Sequence, residues 1–316
     1  MPPVDTPVDP KPPIVVTGAP RTGTTFLGTM LALNRDVSYI YEPTSVLYGM
    51  RDVPLPMLYV RRGSHDEDLA ERMFADLLRG RGKFRQPDQP AASLLRRTAR
   101  RLLGSKVSLR YHRDALNPLR RRWLIKDPWA GFASEWLHQR YSAPTVVIVR
   151  HPIPTVTSYQ RLAWRFPLAD LARMDELMAD HLRPILGDLD TEALDPYENG
   201  AIMWRCYYKT LGTFLDRNPG MIAVRHEDLS AHPVPVLRDL YERLGMRFDA
   251  RVERLVGEHT RAGNPGEATG DRVHLLRRDS QAVATQWRGT MDPAVRDRIR
   301  ARTEPESSRW YSDDDW

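Results

Sequence analysis

At 316 residues, 41% of them hydrophobic, the chain has room for one large domain or two small ones and can bury a proper core. No run approaches the roughly 18 apolar residues of a membrane span, and the start, MPPVDTPVDPKPP, lacks the basic and apolar regions of a signal peptide and reads as a flexible leader over 1–12. Cys206 is the only cysteine, which excludes an internal disulfide and a cysteine-rich zinc site, so a cytosolic enzyme fits the composition.

The net charge of +6 is uneven: residues 51–122 hold 18 Lys and Arg against 8 Asp and Glu, while the remainder holds 29 against 33. Arg96, Arg97, Arg100 and Arg101, and then Arg120, Arg121 and Arg122, cluster there. Such a cluster suits either a surface facing an anionic acceptor or a membrane, or a plain solvated helical face. No nucleic-acid reading module accompanies it.

In chain order, Pro13 to Thr17 is a short β-branched run followed by a glycine loop, and from Thr25 to Leu33 the pattern turns helical. Further strands are expected at Val37 to Tyr41, Trp123 to Ile125, Thr145 to Val149 and Met221 to Val224. Helices are expected at Asp66 to Leu78, Ala91 to Leu103, Ser134 to Arg140, Asp170 to Leu186, Tyr197 to Leu215, Val234 to Leu244 and Pro293 to Ala301. Strands alternating with helices indicate an α/β fold with a mostly parallel sheet covered on both faces. The chain reads as a single domain, 13–316, in which 51–122 is a basic, helical insertion. RAGNPGEATG, Arg261 to Gly270, is a loop by composition and a candidate gate.

The loop in IVVTGAPRTGTTFL approximates the phosphate-binding pattern G-x-x-x-x-G-K-[ST], with Gly18, Gly23 and Thr25 in place but Thr24 where the lysine belongs. Backbone N–H groups from Arg21 to Thr25, the helix dipole and the hydroxyls of Thr22, Thr24 and Thr25 can still surround an oxyanion smaller than a triphosphate. GAPRTGTTFL resembles the 5′-phosphosulfate loop of sulfotransferases, G-x-P-R-[ST]-G-T-[ST]-x-x-L. Those enzymes have a P-loop-like fold and take a sulfuryl group from 3′-phosphoadenosine 5′-phosphosulfate (PAPS), without a metal.

The resemblance continues in VVIVRHPIPTVTSYQRL, where it implies that Arg150 and Ser158 grip the 3′-phosphate; an arginine fork and a hydroxyl suit that anion. WLIKDPWAGF is similar to the family's K-x-P segment, VRHEDLSAHPVPVLRDLYERLGMRFD to its closing strand and helix, and SQAVATQWRGTM to a C-terminal segment that implies cofactor contacts for Trp287 and Arg288. Together these stretches cover most of the chain except the leader and 51–122.

Transfer of this kind is an in-line displacement that needs a base at the acceptor hydroxyl. DVSYIYEPTS places Glu42 just past the second strand, and it resembles the proposed base of carbohydrate-type and some bacterial sulfotransferases. An ion pair with Arg21 or another arginine is its alternative reading. Cytosolic small-molecule members carry a histidine base two residues after a lysine; here that lysine is Lys126 and the histidine place holds Pro128, which favours Glu42. Lys126 could stabilise the leaving phosphate or simply pair with Asp127. His151 and His226 read as structural, and Trp204, Tyr207, Tyr208 and Phe214 as packing. The expected activity is sulfuryl transfer to a hydroxyl of a carbohydrate, glycolipid or secondary metabolite. A P-loop small-molecule kinase and a nucleotide- or polyanion-binding protein without catalysis are the alternatives.

Overall fold

A computed structural model describes residues 11–54, 57–85, 106–261 and 291–316. Five strands form one all-parallel sheet: β1 (Ile14–Thr17), β2 (Val37–Tyr41), β3 (Arg122–Lys126), β4 (Thr145–Val149) and β5 (Ile222–Arg225), in the order β2-β3-β1-β4-β5. The residues explain the arrangement. In β1, Ile14 and Val16 face one layer of helices while Val15 faces the other, and every residue of β1, β3 and β4 is buried, as parallel strands covered on both sides require.

One layer contains α1 (Thr24–Leu31) and, after β5, α7 (His226–Ala231), α8 (Pro233–Arg243) and α9 (Ala250–Thr260). Leu27, Met30 and Leu31 of α1 pack with Leu237, Leu240 and Tyr241 of α8, and the Tyr241 hydroxyl donates to the Met30 carbonyl at 2.7 Å. The opposite face is covered toward β2 and β3 by α2 (Glu67–Leu78), α3 (Lys106–Ala115) and α4 (Ser134–Tyr141). Toward β4 it is covered by α5 (Pro152–Arg161) and α6 (Pro196–Arg217), the latter started by a capping box between Asp195 and Glu198. Helix α10 (Pro293–Thr303) packs on α6.

All five expected strands are present. The expected helix over Asp170 to Leu186 is instead broken into Leu168–Leu171, Asp175–Leu177, a π turn over Met178–Leu182 and Arg183–Leu186. Pro184 has no N–H to give the carbonyl of Asp180 and its ring crowds that turn, so a regular α-helix cannot run through it. Helices α7 and α9 lie where the sequence reading expected none, and α3 falls within the 51–122 insertion that it read as helical without placing a helix there. The basic cluster also divides. Arg122 is not on a surface: it is 5% exposed, and its guanidinium donates to the carbonyls of Pro12 and Leu244. The first bond ties the end of the expected leader to the sheet, and the second ties the end of α8. The expected helix Ala91–Leu103, with Arg96, Arg97, Arg100 and Arg101, and the expected gate from residue 262 lie outside the described residues. Among the described residues, no helix is long and apolar enough to cross a membrane.

Candidate active site

With all strands parallel, their carboxyl ends share one edge, and β1 and β4, whose onward connections run to opposite sides, create a crevice there. The loop after β1 enters it. Gly18 has φ 149°, and a Cβ there would lie 2.2 Å from the Ile148 carbonyl oxygen, so only glycine lets the loop leave beside β4. Arg21 follows in a left-handed conformation at φ 70°. Thr22 turns both donors inward, its hydroxyl reaching the Ala19 carbonyl at 2.7 Å and its N–H the same oxygen at 3.4 Å. Gly23 then caps α1 in the left-handed region without offering a side-chain acceptor, so the first-turn N–H groups of Thr24 and Thr25 face the crevice end of the helix dipole.

The second anchor stands across the crevice. Arg150 follows β4, Ser158 sits on α5, and they are 5% and 4% exposed. The Arg150 guanidinium donates to the Arg21 carbonyl at 3.3 Å, while Arg21 Nε donates to Ser158 Oγ at 3.1 Å. The two motifs, more than 120 residues apart in sequence, therefore form one cluster, and the Arg21 side chain leans toward α5 instead of lying over its own loop. Behind it, the Tyr159 hydroxyl donates to the Pro20 carbonyl, Trp204 Nε1 to the Arg150 carbonyl and the Tyr208 hydroxyl to the Ile148 carbonyl. Trp204, Tyr207, Tyr208 and Phe214 are all packed in the core, as their spacing indicated.

The two histidines brace this cluster. His151 caps α5 by accepting from the Ile153 N–H, its own N–H donates to Glu227, and its ring packs against Tyr311 and Trp316. His226 fills the space above Gly23, where a Cβ would come within 2.8 Å of its ring, and its Nδ1 lies 3.5 Å from Ser230 Oγ.

At the ends of β2 and β3 the two catalytic candidates meet: Lys126 Nζ donates to Glu42 Oε1 at 2.5 Å. Lys126 is 0% exposed, its stem passes against α1 where a Cβ on Gly28 would be 2.9 Å away, and its ammonium lies 3.9 Å from the centre of the Tyr41 ring. Burial lowers the proton affinity of Lys126, and the Glu42 carboxylate opposes that. Glu42 itself is in a left-handed conformation, φ 44°, with its N–H bonded to the Lys126 carbonyl.

Among the described residues the contacts differ from both alternative pairings. Glu42 takes Lys126 instead of an arginine, and Asp127 is held elsewhere. One Asp127 oxygen accepts from the Thr44 N–H and hydroxyl at 2.6 and 2.8 Å, and the other from the Trp129 N–H at 2.9 Å. Asp127 is 0% exposed, and burial, with the Glu42 carboxylate nearby, pushes its carboxyl up to about 7 against the pull of the Thr44 donors. Sequence reasoning named Asp127 only as an ion-pair partner and did not single out Thr44. The signal was an aspartate in a run that otherwise reads as buried strand. Trp287 and Arg288 lie outside the described residues.

A cradle of backbone N–H groups at a helix start, with two arginines and a serine opposite, fits a ligand with two separated anionic groups. Among the described residues, no group of three His, Cys, Asp or Glu side chains could hold a metal ion. No curated protein matches the chain. Among solved structures it is similar to a sulfotransferase domain from the curacin biosynthetic pathway, at 18% identity over 95% of this chain and 97% of that one, with a TM-score of 0.49. It is similar to a sulfotransferase domain from the Synechococcus PCC 7002 olefin synthase, at 20% identity over 99% and 98%, TM-score 0.48. It is also similar to a sulfotransferase from Alicyclobacillus acidocaldarius, at 15% identity over 95% and 94%, TM-score 0.44. The profile of the sulfotransferase family matches residues 12–250, from before β1 to the start of α9, and on that match the chain belongs to the PAPS-dependent sulfotransferase family.

Proposed function

We propose that the chain transfers a sulfuryl group to a hydroxyl of a small-molecule acceptor, in the class of carbohydrates, glycolipids or secondary metabolites, with Glu42 as general base. The observation that carries this reading is the Lys126–Glu42 contact at the same sheet edge as the phosphosulfate loop, with Lys126 lying along the loop's own helix at Gly28. PAPS, when bound, supplies the sulfuryl group as the electrophile.

Each residue then has a distinct task. The N–H groups of Gly23, Thr24 and Thr25 and the Thr24 and Thr25 hydroxyls bind the 5′-phosphosulfate, and Thr22 shapes the loop that presents them. Arg150 and Ser158 bind the 3′-phosphate, and Arg21 bridges the two anchors. Lys126 donates to Glu42 and so fixes the carboxyl beside the loop, and it places positive charge beside α1 where charge develops on the leaving oxygen. Glu42 removes the acceptor proton as the oxygen bonds to sulfur.

Glu42→Gln tests the assignment, since it keeps the shape and loses the base. With radiolabelled PAPS, kcat should fall by about 10²–10⁴ while the affinity for adenosine 3′,5′-bisphosphate stays within roughly threefold. Full turnover with unchanged affinity would remove Glu42 from the chemistry.

A further inference from the structure

Beside the Glu42 turn lies an open cavity of about 770 Å³, in the size range of sites that hold drug-sized molecules. Its walls are mainly apolar: Val46, Met57, Trp129, Trp164, Phe166 and Met174. Two of them are fastened to the catalytic pair's neighbour. The Trp129 N–H donates to Asp127, and Val46 follows the turn in which Thr44 donates to the same carboxyl. The far wall is fastened to the cofactor side. Helix α5, which carries Ser158, ends with Ala163 in the left-handed region at φ 51°. The Ala163 N–H bonds the Gln160 carbonyl and the Trp164 N–H the Tyr159 carbonyl. That cap lays Trp164 on Tyr159, with rings 16° from parallel and centroids 6.2 Å apart.

Trp129 and Trp164 stand 6.3 Å apart at 41°. Two indoles and two methionines give flat, polarisable surfaces that suit rings better than hydroxyl-studded sugars, whose oxygens would face walls with few hydrogen-bond partners. Charge at the mouth adds a second restriction. Arg173 pairs with Asp170, whereas Arg165 is bonded only to the carbonyls of Leu194 and Glu192 and has no carboxylate partner among the described residues. The mouth thus carries a net positive charge, which opposes a cationic acceptor.

We infer that this cavity is the acceptor site and that it selects an uncharged or anionic alcohol with an aromatic or similarly rigid apolar body, in preference to a free sugar. The inference rests on the sulfuryl-transfer reading and narrows its acceptor class. Val46 and Trp129 lie on the Glu42 and Lys126 side, so the hydroxyl end of such a molecule enters there while its body lies between the indoles.

Binding separates this inference from the transfer reading. The complex with adenosine 3′,5′-bisphosphate is titrated with 2-(2-naphthyl)ethanol and with methyl β-D-glucopyranoside, followed by ligand-observed NMR. The naphthyl alcohol should bind saturably and the glucoside should not. Trp164→Ala should raise the naphthyl Kd about tenfold. Val46→Asp, at a position 37% exposed and therefore safe for folding, should raise it by roughly as much without changing bisphosphate affinity. Equal or tighter glucoside binding, or a naphthyl Kd unmoved by both substitutions, overturns the inference. Naphthyl binding that follows this pattern while no sulfate is transferred to the alcohol breaks the transfer reading and leaves the cavity's selectivity standing.

Discussion

The two halves of the site are built by different means. The proposed cofactor half, after β1 and β4, is made largely of backbone: a glycine that no other residue can replace, an uncapped helix start, and arginines that bond to main-chain oxygen as well as to Ser158. The proposed acceptor half, after β2 and β3, is made of side chains: a buried lysine against a glutamate, a buried aspartate holding Thr44 and Trp129, and two indoles from separate segments. A backbone cradle tolerates little change and suits a cofactor that never varies. A wall of side chains can be altered one residue at a time, which suits the partner that distinguishes one enzyme from another.

The largest effect should come from the backbone half. Gly18→Ala places a Cβ 2.2 Å from a strand carbonyl and should cost more than ~4 kcal/mol or abolish folding, read by urea denaturation. A variant of near-native stability would show that the loop is looser than its geometry indicates.

Lys126→Ala should come next. It leaves Glu42, with its side chain 13% exposed, without its cation and opens a void against α1, for a loss of about 3–5 kcal/mol. At temperatures where the variant remains folded, the rate should fall more than bisphosphate affinity. The reverse outcome moves Lys126 to the cofactor half. Arg150→Ala should lower bisphosphate affinity about 10- to 100-fold by calorimetry, with kcat at saturating PAPS changed less. An equal loss in kcat would erase the division between the halves at that residue.

The smallest effect is a pH dependence on the acceptor side. The folded state holds the Asp127 proton up to about 7, whereas the unfolded chain releases it near the ordinary 3.8. The native state therefore binds more protons between those values. This contribution to stability is fully present below the lower value and is lost as pH rises through the upper one. Between pH 6 and 8 it should decline by about 1–2 kcal/mol, and the decline should be absent in Asp127→Asn. Parallel profiles for the two proteins would assign the slope to other groups.

The local sequence carried most of the backbone half. Short apolar runs marked all five strands, most plainly β1, β3 and β4, which are buried throughout, and glycine spacing marked the loop because its turns need conformations that side chains forbid. The catalytic candidates were legible singly, as Glu42 after one strand and Lys126 at the end of another. Their pairing was not, since β2 and β3 are neighbours in the sheet but are separated by 80 residues of chain. The broken helix around Pro184 was misread because apolar spacing continues across a residue whose missing N–H forbids a regular turn.

What the sequence determined by itself was the parallel α/β scaffold, the glycine loop after β1 and the residue types of the proposed two-anchor anion site, each encoded within a few consecutive positions. Only the tertiary structure decided that Arg21 reaches Ser158, that Lys126 holds Glu42 while Asp127 holds Thr44 and Trp129, and that Arg122 belongs to the interior. Those choices depend on which strand ends and helix caps meet at one edge, and long-range packing sets that meeting after local preferences have formed the elements.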